Sequence, residues 1–521
     1  MEQNHKKVCL IIIDGWGIGR SDHTNPTFLY KGPFLEYLKQ NFPYYALQTS
    51  GIASGLRFLE EGSSEVGHLI IGSGKIIYQV KTRIDQSIND GTFLKNQAII
   101  KTINHVKQHN SVLHLIGILS SDGVLASINH LISLIYTARI NGVNNICLHL
   151  ISDGKDGPRN EVLVLINKLE QEKTTLGAIN IASITGRFYA LNDHSEMYID
   201  KFYNFLTSNN PNNYQEIETH LEELKNKDIS DEFIEPFAIK NNFKPISSND
   251  SIVFYNLKPN AFPIEYFISK LNYNSKSITN LNITSLVDLS KDLNVNIAFP
   301  NEKISNCLSM VLSANHKRQA HLSESIKSLH VTYYFNGLNK TPFPGEYWFI
   351  LPSNPSLNFK ENPYLEAPHI TERAQQIIDE NIYDFLVINY PNADMAGHTG
   401  DIDVAKTVIS IIDKELEKLI THGLSKNYTF LITSDHGNIE RMKNPLTGET
   451  EFGHDGNFVP IYLVDNSWKN AMPLTQEEIL SHEKTAVGIL ADISPTILDI
   501  FDINQPIEMT GQSLLRILNL P

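Results

Sequence analysis

Three continuous apolar runs stand out along the chain, CLIII at 9–13, FLVIN at 385–389 and YTFLIT at 428–433. A strand buried on both faces of a parallel sheet reads as such a run rather than as an alternation, so three buried parallel strands are predicted. Polar residues follow each run at once, and in open α/β sheets ligands collect beyond the carboxyl ends of the strands. After position 398 the pattern becomes helical. Val404, Val408, Ile411, Ile412, Leu416, Leu419 and Ile420 recur at three- and four-residue steps, and Gly423 is expected to end the helix.

A second series of strand-like runs lies at 112–119, 145–151, 179–185 and 251–256, with helical patterns near 128–140 and 160–171. Alternating strand and helix is the signature of βαβ units, so the fold class is α/β with mostly parallel sheet. Acid and histidine clusters fall only before and after this second series. The predicted organisation is a discontinuous catalytic domain over 1–79 and 301–521, interrupted by an inserted α/β domain over 80–300. Gly and Pro break the patterns near 76–82 and 297–303, where hinges are expected. The Asn- and Lys-rich stretches at 207–232 and 272–282 read as surface segments.

A chain of 521 residues exceeds what one core usually supports, which agrees with two domains. Its 58 acidic against 43 basic residues, a formal charge of −15, argue against general affinity for nucleic acid or anionic membranes. Cys9, Cys147 and Cys307 are widely spaced and without a CxxC pair, which fits buried thiols in a reducing compartment. The apolar stretch near the start is too short for a membrane span or signal segment and runs straight into Asp14. A cytoplasmic, monomeric protein acting on a small molecule is expected.

The candidate chemistry sits at the ends of the three strand-like runs: Asp14 in DGWG, Asp394 and His398 in NADMAGHTG, and Asp435 and His436 in TSDHGN, joined by His454 in EFGHDGN. Carboxylate and imidazole donors suit Mn²⁺, Zn²⁺, Mg²⁺ or Co²⁺, and three carboxylates offset much of the charge of two such ions. Two ions roughly 4 Å apart can hold a phosphoryl group and stabilise both attacking and leaving oxygens. One acid at a strand end is more often a cap, and one histidine more often an ordinary packed residue, but all four elements in one chain point to a two-metal phosphoryl-transfer site. Ser64, in GSSEVGHLIIGSG, supplies a candidate nucleophile at a predicted helix N-terminus, where backbone N–H groups favour an anion. A plain N-cap is the alternative reading of that serine.

The segments SSEVGHLIIGSGKIIYQ, SDGKD, ITGRFYA, HVTYYFNG and DISPTILDIF, with those above and in this order, resemble the cofactor-independent phosphoglycerate mutases of the alkaline phosphatase superfamily over nearly the whole chain. The resemblance implies a phosphatase-like catalytic domain with an inserted phosphotransferase domain and an active site in the cleft between them. It implies Asp394, His398 and His454 around one metal ion, and Asp14, Ser64, Asp435 and His436 around the other, with Mn²⁺ the expected metal. It also implies that the metal-activated serine takes the phosphoryl group from phosphoglycerate and returns it to the other hydroxyl. Asp156 would handle the proton of the glycerate hydroxyl, and Lys327 would contact the transferring group.

Of the basic set that grips substrate in that family, Arg187 is matched here, while Lys155 and Lys258 stand in place of Arg and keep charge without the bidentate fork. Leu125 replaces a His, and Asp193 and Ala261 each replace an Arg. Interconversion of 3- and 2-phosphoglycerate is the expected activity. A two-metal phosphomutase or phosphohydrolase acting on another small phosphate ester or phosphonate is the alternative, and a catalytically silent metal- or metabolite-binding protein the third.

Overall fold

The computed structural model describes residues 6–520 apart from 52–54, 56–61, 122–124, 193–194, 210–212, 258–260, 275–277, 290–292, 303 and 355–358. The chain forms two compact units, one of residues 1–79 with 303–521 and one of Val80–Glu302.

In chain order the first unit opens with β1 (Lys7–Ile13) and β2 (Tyr44–Gln48). The second unit contributes β3 (Leu113–Leu119), β4 (Ile146–Ser152), β5 (Ile181–Gly186), β6 (Tyr214–Gln215), β7 (Phe237–Ile239), β8 (Ser251–Phe254), β9 (Asn282–Ser285) and β10 (Asn296–Ile297). The first unit resumes with β11 (Gln319–Glu324), β12 (Glu346–Leu351), β13 (Phe385–Tyr390), β14 (Tyr428–Thr433), β15 (Val459–Val464) and β16 (Ala486–Ile489). Each unit is built on one eight-stranded sheet, in the orders β12-β11-β13-β1-β14-β15-β2-β16 and β10-β9-β8-β3-β4-β5-β7-β6. Pairing is parallel except at β14/β15, β15/β2 and β5/β7.

In the first unit β1 is the central strand, parallel to β13 on one side and β14 on the other. Its run KVCLIII is almost wholly buried because successive side chains feed two different cores. Cys9, Ile11 and Ile13 face a core shared with Val408, Ile412, Leu416 and Leu419 of the helix Ile402–Ser425. Val8, Leu10 and Ile12 face another, shared with Ile70 and Ile71 of the helix Ser64–Ser73 and with Ile493 and Ile497. Each such side chain taken out of water contributes about 1.5–3 kcal/mol, which holds the central strands and their register firmly. The carboxyl ends of β13, β1 and β14 therefore lie side by side at one edge of the sheet.

The helix Ile402–Ser425 runs through Gly423 rather than stopping there. A Cβ at Gly423 would run into the ring of Phe430 on β14, so the glycine serves close packing. The turn that ends the helix falls on Asn427, in the left-handed region at φ 60°. In the second unit, β3, β4, β5 and β8 carry the helices Ile128–Ile140 and Val162–Gln171 on a single apolar core. All three cysteines are free and buried. Among the described residues no helix is long and apolar enough to cross a membrane.

Candidate metal centre and nucleophile

Asp14 emerges directly from β1, and its backbone is stitched to the neighbouring loop: Asp14 N–H donates to Tyr390 O at 3.0 Å and Asp394 N–H donates to Asp14 O at 2.9 Å. Gly15, at φ 73°, allows this approach, because a Cβ there would overlap the backbone of Asp394. Asp394 lies in the short helix Asn392–Gly397 after β13, with His398 closing its last turn. Asp435 and His436 follow β14, and Gly15 N–H donates to Asp435 Oδ1 at 3.2 Å. All three carboxylates and His436 are buried.

Ser64 is the first residue of its helix, and the preceding Ser63 is the cap, accepting from Val66 N–H at 3.3 Å. That frees the Ser64 hydroxyl, which donates to Asp14 Oδ1 at 3.1 Å and lies 2.8 Å from His436 Nε2. Lys327 Nζ donates to Ser64 Oγ at 2.7 Å, Asp14 Oδ1 at 2.8 Å and Asp394 Oδ2 at 3.0 Å. His398 Nε2 and His454 Nε2 each lie 3.3 Å from Asp394 Oδ1, and the His436 and His454 rings stack at 3.8 Å between centroids. The described residues thus bring Asp14, Ser64, Lys327, Asp394, His398, Asp435, His436 and His454 into one cluster.

The electrostatics are those of crowded anions. Burial and the Asp435 charge raise the Asp14 carboxyl above the ordinary range, with Lys327 opposing. At Asp394 burial is overcome by hydrogen bonds from His398 and His454 and by Lys327, so its carboxyl is held far below that range. Asp435 goes the same way, burial being outweighed by His436 and His68. His454 is pushed up to about 9, burial being outweighed by its bond to Asp394, and His398 is raised by the same carboxylate. Lys327, despite burial, is kept charged by Asp14 and Asp394.

This donor set fits divalent cations. Asp394, His398 and His454 offer ligand atoms within 4.8 Å of one another, and so do Asp14, Asp394 and His436. Three buried carboxylates converge here, and Asp435 Oδ2 receives no well-aligned hydrogen bond among the described residues, its near neighbour His68 Nδ1 at 3.2 Å being directed to Ser64 O. A buried carboxylate oxygen so poorly satisfied is costly unless a cation takes it.

His68 also joins Asp14 and Asp435 in such a group, one helical turn beyond Ser64. Its Nδ1 donates to Ser64 O at 2.8 Å, and its Nε2 accepts from Asn389 Nδ2 at 3.0 Å. With both nitrogens engaged it has no lone pair to offer, and it orients the serine's backbone instead. Asn389 donates to Asp14 Oδ2 at 2.8 Å and Asn438 to Asp394 Oδ1 at 2.9 Å, so both acids are held by amides that their local sequence does not announce.

The remaining candidates lie in the second unit. Lys155 and Asp156 follow β4 and Arg187 follows β5. Arg187 is nearly buried, and its Nη1 donates to Asp153 Oδ1 at 2.6 Å and to Asp156 Oδ2 at 2.7 Å. Asp153 carries no signal of its own in the sequence. Lys155 is exposed. Lys258 and Asp193 lie outside the described residues, Ala261 opens the helix Ala261–Ser269, and Leu125 is buried in the apolar core.

A parallel α/β unit carrying buried Asp/His clusters at its carboxyl edge is the mark of a metalloenzyme, and a family model described as the metalloenzyme superfamily matches residues 6–505. The chain is 34% identical to 2,3-bisphosphoglycerate-independent phosphoglycerate mutase of Clostridium kluyveri, covering 98% of this chain and 99% of that protein. It is 35% identical to the enzyme of the same name from Francisella philomiragia, over 98% and 99% respectively. The chain therefore belongs to the family of 2,3-bisphosphoglycerate-independent phosphoglycerate mutases. A solved structure of Leishmania mexicana phosphoglycerate mutase at low cobalt concentration shares its fold, with a TM-score of 0.60 at 22% identity over 98% of both chains.

Proposed function

We propose that this protein interconverts 3- and 2-phosphoglycerate through a phosphoserine at Ser64, using two divalent cations, Mn²⁺ being the first choice and Zn²⁺, Mg²⁺ or Co²⁺ the alternatives. The observation that carries the reading is the position of the Ser64 hydroxyl, within hydrogen-bond reach of Asp14, His436 and Lys327 at once. Asp394, His398 and His454 would hold one cation, and Asp14, Asp435, His436 and Ser64 the other. Bound there, the cations would lower the pKa of the serine hydroxyl and offset phosphoryl charge.

The chain's own groups supply the rest. Ser64 Oγ, its proton released to solvent before substrate reacts, forms the bond to phosphorus as the bond from phosphorus to the glycerate oxygen breaks, and the second half-reaction reverses this toward the other hydroxyl and leaves Oγ again unprotonated. Lys327, a cation held against two carboxylates, touches the nucleophile and neutralises charge that develops on the transferring group. The N-terminal end of the helix Ser64–Ser73 favours the phosphoserine dianion. We assign the proton of the glycerate hydroxyls to Asp156, given to the leaving oxygen in one half-reaction and taken from the attacking one in the other. Arg187 holds that carboxylate in place and, with Lys155 and Lys258, supplies cationic charge for the substrate's anionic groups.

The test is to assay the Mn²⁺-loaded protein for 3- to 2-phosphoglycerate conversion beside hydrolysis of a generic phosphate ester. Ser64→Ala is expected to lower mutase turnover by at least about 10⁴-fold, as loss of a nucleophile does, while Mn²⁺ still binds. Ester hydrolysis without mutase turnover would replace the mutase reading by that of a phosphohydrolase.

A further inference from the structure

Glu440 lies four residues beyond His436 and is 1% exposed. Its Oε2 accepts from Gly17 N–H at 2.8 Å and from Asn438 N–H at 2.9 Å, and its Oε1 accepts from Asn457 Nδ2 at 3.1 Å. Gly17 is three residues after Asp14, Asn438 two after His436, and Asn457 three after His454. One buried carboxyl group therefore ties together the three loops that carry Asp14, Asp435 with His436, and His454. The glycines of DGWG and DHGN make room for it, since a Cβ at Gly17 or at Gly437 would overlap its carboxyl oxygens. Asn438, fixed by its own N–H bond to Glu440, reaches with its side chain to Asp394, which connects the fourth ligand segment to the same knot.

We propose that Glu440 is a positioning residue for both cation subsites, setting the geometry of the ligand loops through its acceptor oxygens without itself touching metal or substrate. Buried acceptors aimed at backbone N–H groups fix loops in the way that partners of metal ligands fix imidazoles and carboxylates. Asp455, whose carboxyl also crowds Gly437, lies against Glu440, and burial together with that charge raises the Glu440 carboxyl well above its usual range. The isosteric amide keeps one acceptor for the Gly17 and Asn438 N–H groups but turns the position facing Asn457 Nδ2 into a donor, whereas aspartate, one methylene shorter, cannot reach the Gly17 and Asn438 amides together.

The inference rests on the two-cation reading above, and the experiment separates the two. Full-length wild type, Glu440→Gln and Glu440→Asp, each stripped by chelator, are titrated with Mn²⁺ by calorimetry, and kcat and KM are measured after loading. Glu440→Asp is expected to bind Mn²⁺ about 10–100-fold more weakly and to lose kcat with KM nearly unchanged, and Glu440→Gln, which gives up only the Asn457 contact, to lose about three- to fivefold. In chelator-treated wild type the Gly17 and Asn438 amides are expected to exchange as slowly as those of β14. Failure of wild type to bind Mn²⁺ would sink the two-cation reading. Wild-type affinity in Glu440→Asp, a loss in Glu440→Gln as large as in Glu440→Asp, or fast exchange at those two amides would each overturn the role of Glu440, the last without needing a variant that folds.

Discussion

Each unit buries a histidine-and-acid cluster against its sheet, and the two are built to opposite ends. In the second unit Asp250 accepts from Val112 N–H at 2.8 Å and Ser247 N–H at 2.8 Å and lies 3.2 Å from His114 Nε2. His114 Nδ1 lies 2.9 Å from His149 Nε2, and His149 Nδ1 2.8 Å from Ser183 Oγ. The row crosses β3, β4 and β5, with His149 and Ser183 in direct register. One proton on each Nε2 and the hydroxyl proton on Ser183 satisfy every contact with both rings neutral. The cluster in the first unit does not close with its rings neutral, because Asp14, Asp394 and Asp435 are met by Lys327 and by protons on His398 and His454, the very rings whose lone pairs a cation would use. A fully paired buried network specifies structure, whereas buried carboxylates held by protons on a partly open rim of ligand-type rings, here His398 and His454, leave a place that a cation can take.

The sharpest way to break the contrast is Lys327→Met. With its ammonium gone, Asp14 loses its nearest cation while Asp394 keeps only His398 and His454, and the first unit in chelator should lose about 3–5 kcal/mol of stability. Mn²⁺ should restore much of it, so the rise in Tm on adding metal should exceed that of wild type in differential scanning calorimetry. Turnover should still fall by about 10²–10³-fold, since charge neutralisation at the nucleophile is gone. Equal metal-induced shifts in both proteins would show that Lys327 is not balancing the acid cluster. Asp250→Asn is the counterpart in the second unit. It turns one acceptor into a donor facing a backbone N–H, which should cost about 1–3 kcal/mol, read as faster amide exchange in β3, with Mn²⁺ affinity unchanged.

Both clusters come from similar-looking strings, and that is where sequence reading reaches its limit. The runs ending at Asp14, Asp394 and Asp435 are legible because strands covered on both faces need unbroken apolar stretches, and because acids at their ends have few other reasons to recur. His114 and His149 sit inside equally apolar runs, and only the pairing of β3 with β4 and of Asp250 with His114 shows them to be structural. Gly423 reads as a helix stop because glycine usually is one, whereas its role here depends on the Phe430 ring of a strand that follows it. Ser64 is legible as a helix-start residue, yet it is Ser63 that caps, a one-residue distinction decided by backbone angles. His68, Asn389, Asn438 and Glu440 carry no local signal, since their partners lie in distant parts of the chain. The basic residues of the second unit are read only through family likeness, and of these Arg187 alone has a described ion-pair geometry, with Asp153 and Asp156.

The smallest effect concerns pH and bears on the neutral row alone. Burial pushes His149 well below its ordinary pKa, so the native protein does not take up a proton there, whereas the unfolded chain does below about pH 6.5. The unfolded state then binds more protons, and stability must rise with pH across the window beneath 6.5 and fall as the solution is acidified through it, by at most about 1.4 kcal/mol per pH unit for this one group. Exchange of the β4 amides, corrected for intrinsic rates, should report that slope between pH 6.5 and 5. His149→Asn keeps a polar side chain between Ser183 and His114 but cannot titrate, so its slope should be shallower by that share. His105 and His220, lowered by partial burial, remain in the variant, and their contribution should persist. An unchanged slope would mean that the row admits a proton in the native state, and the contrast between a closed neutral network and an open charged one would then fail on the side of the second unit.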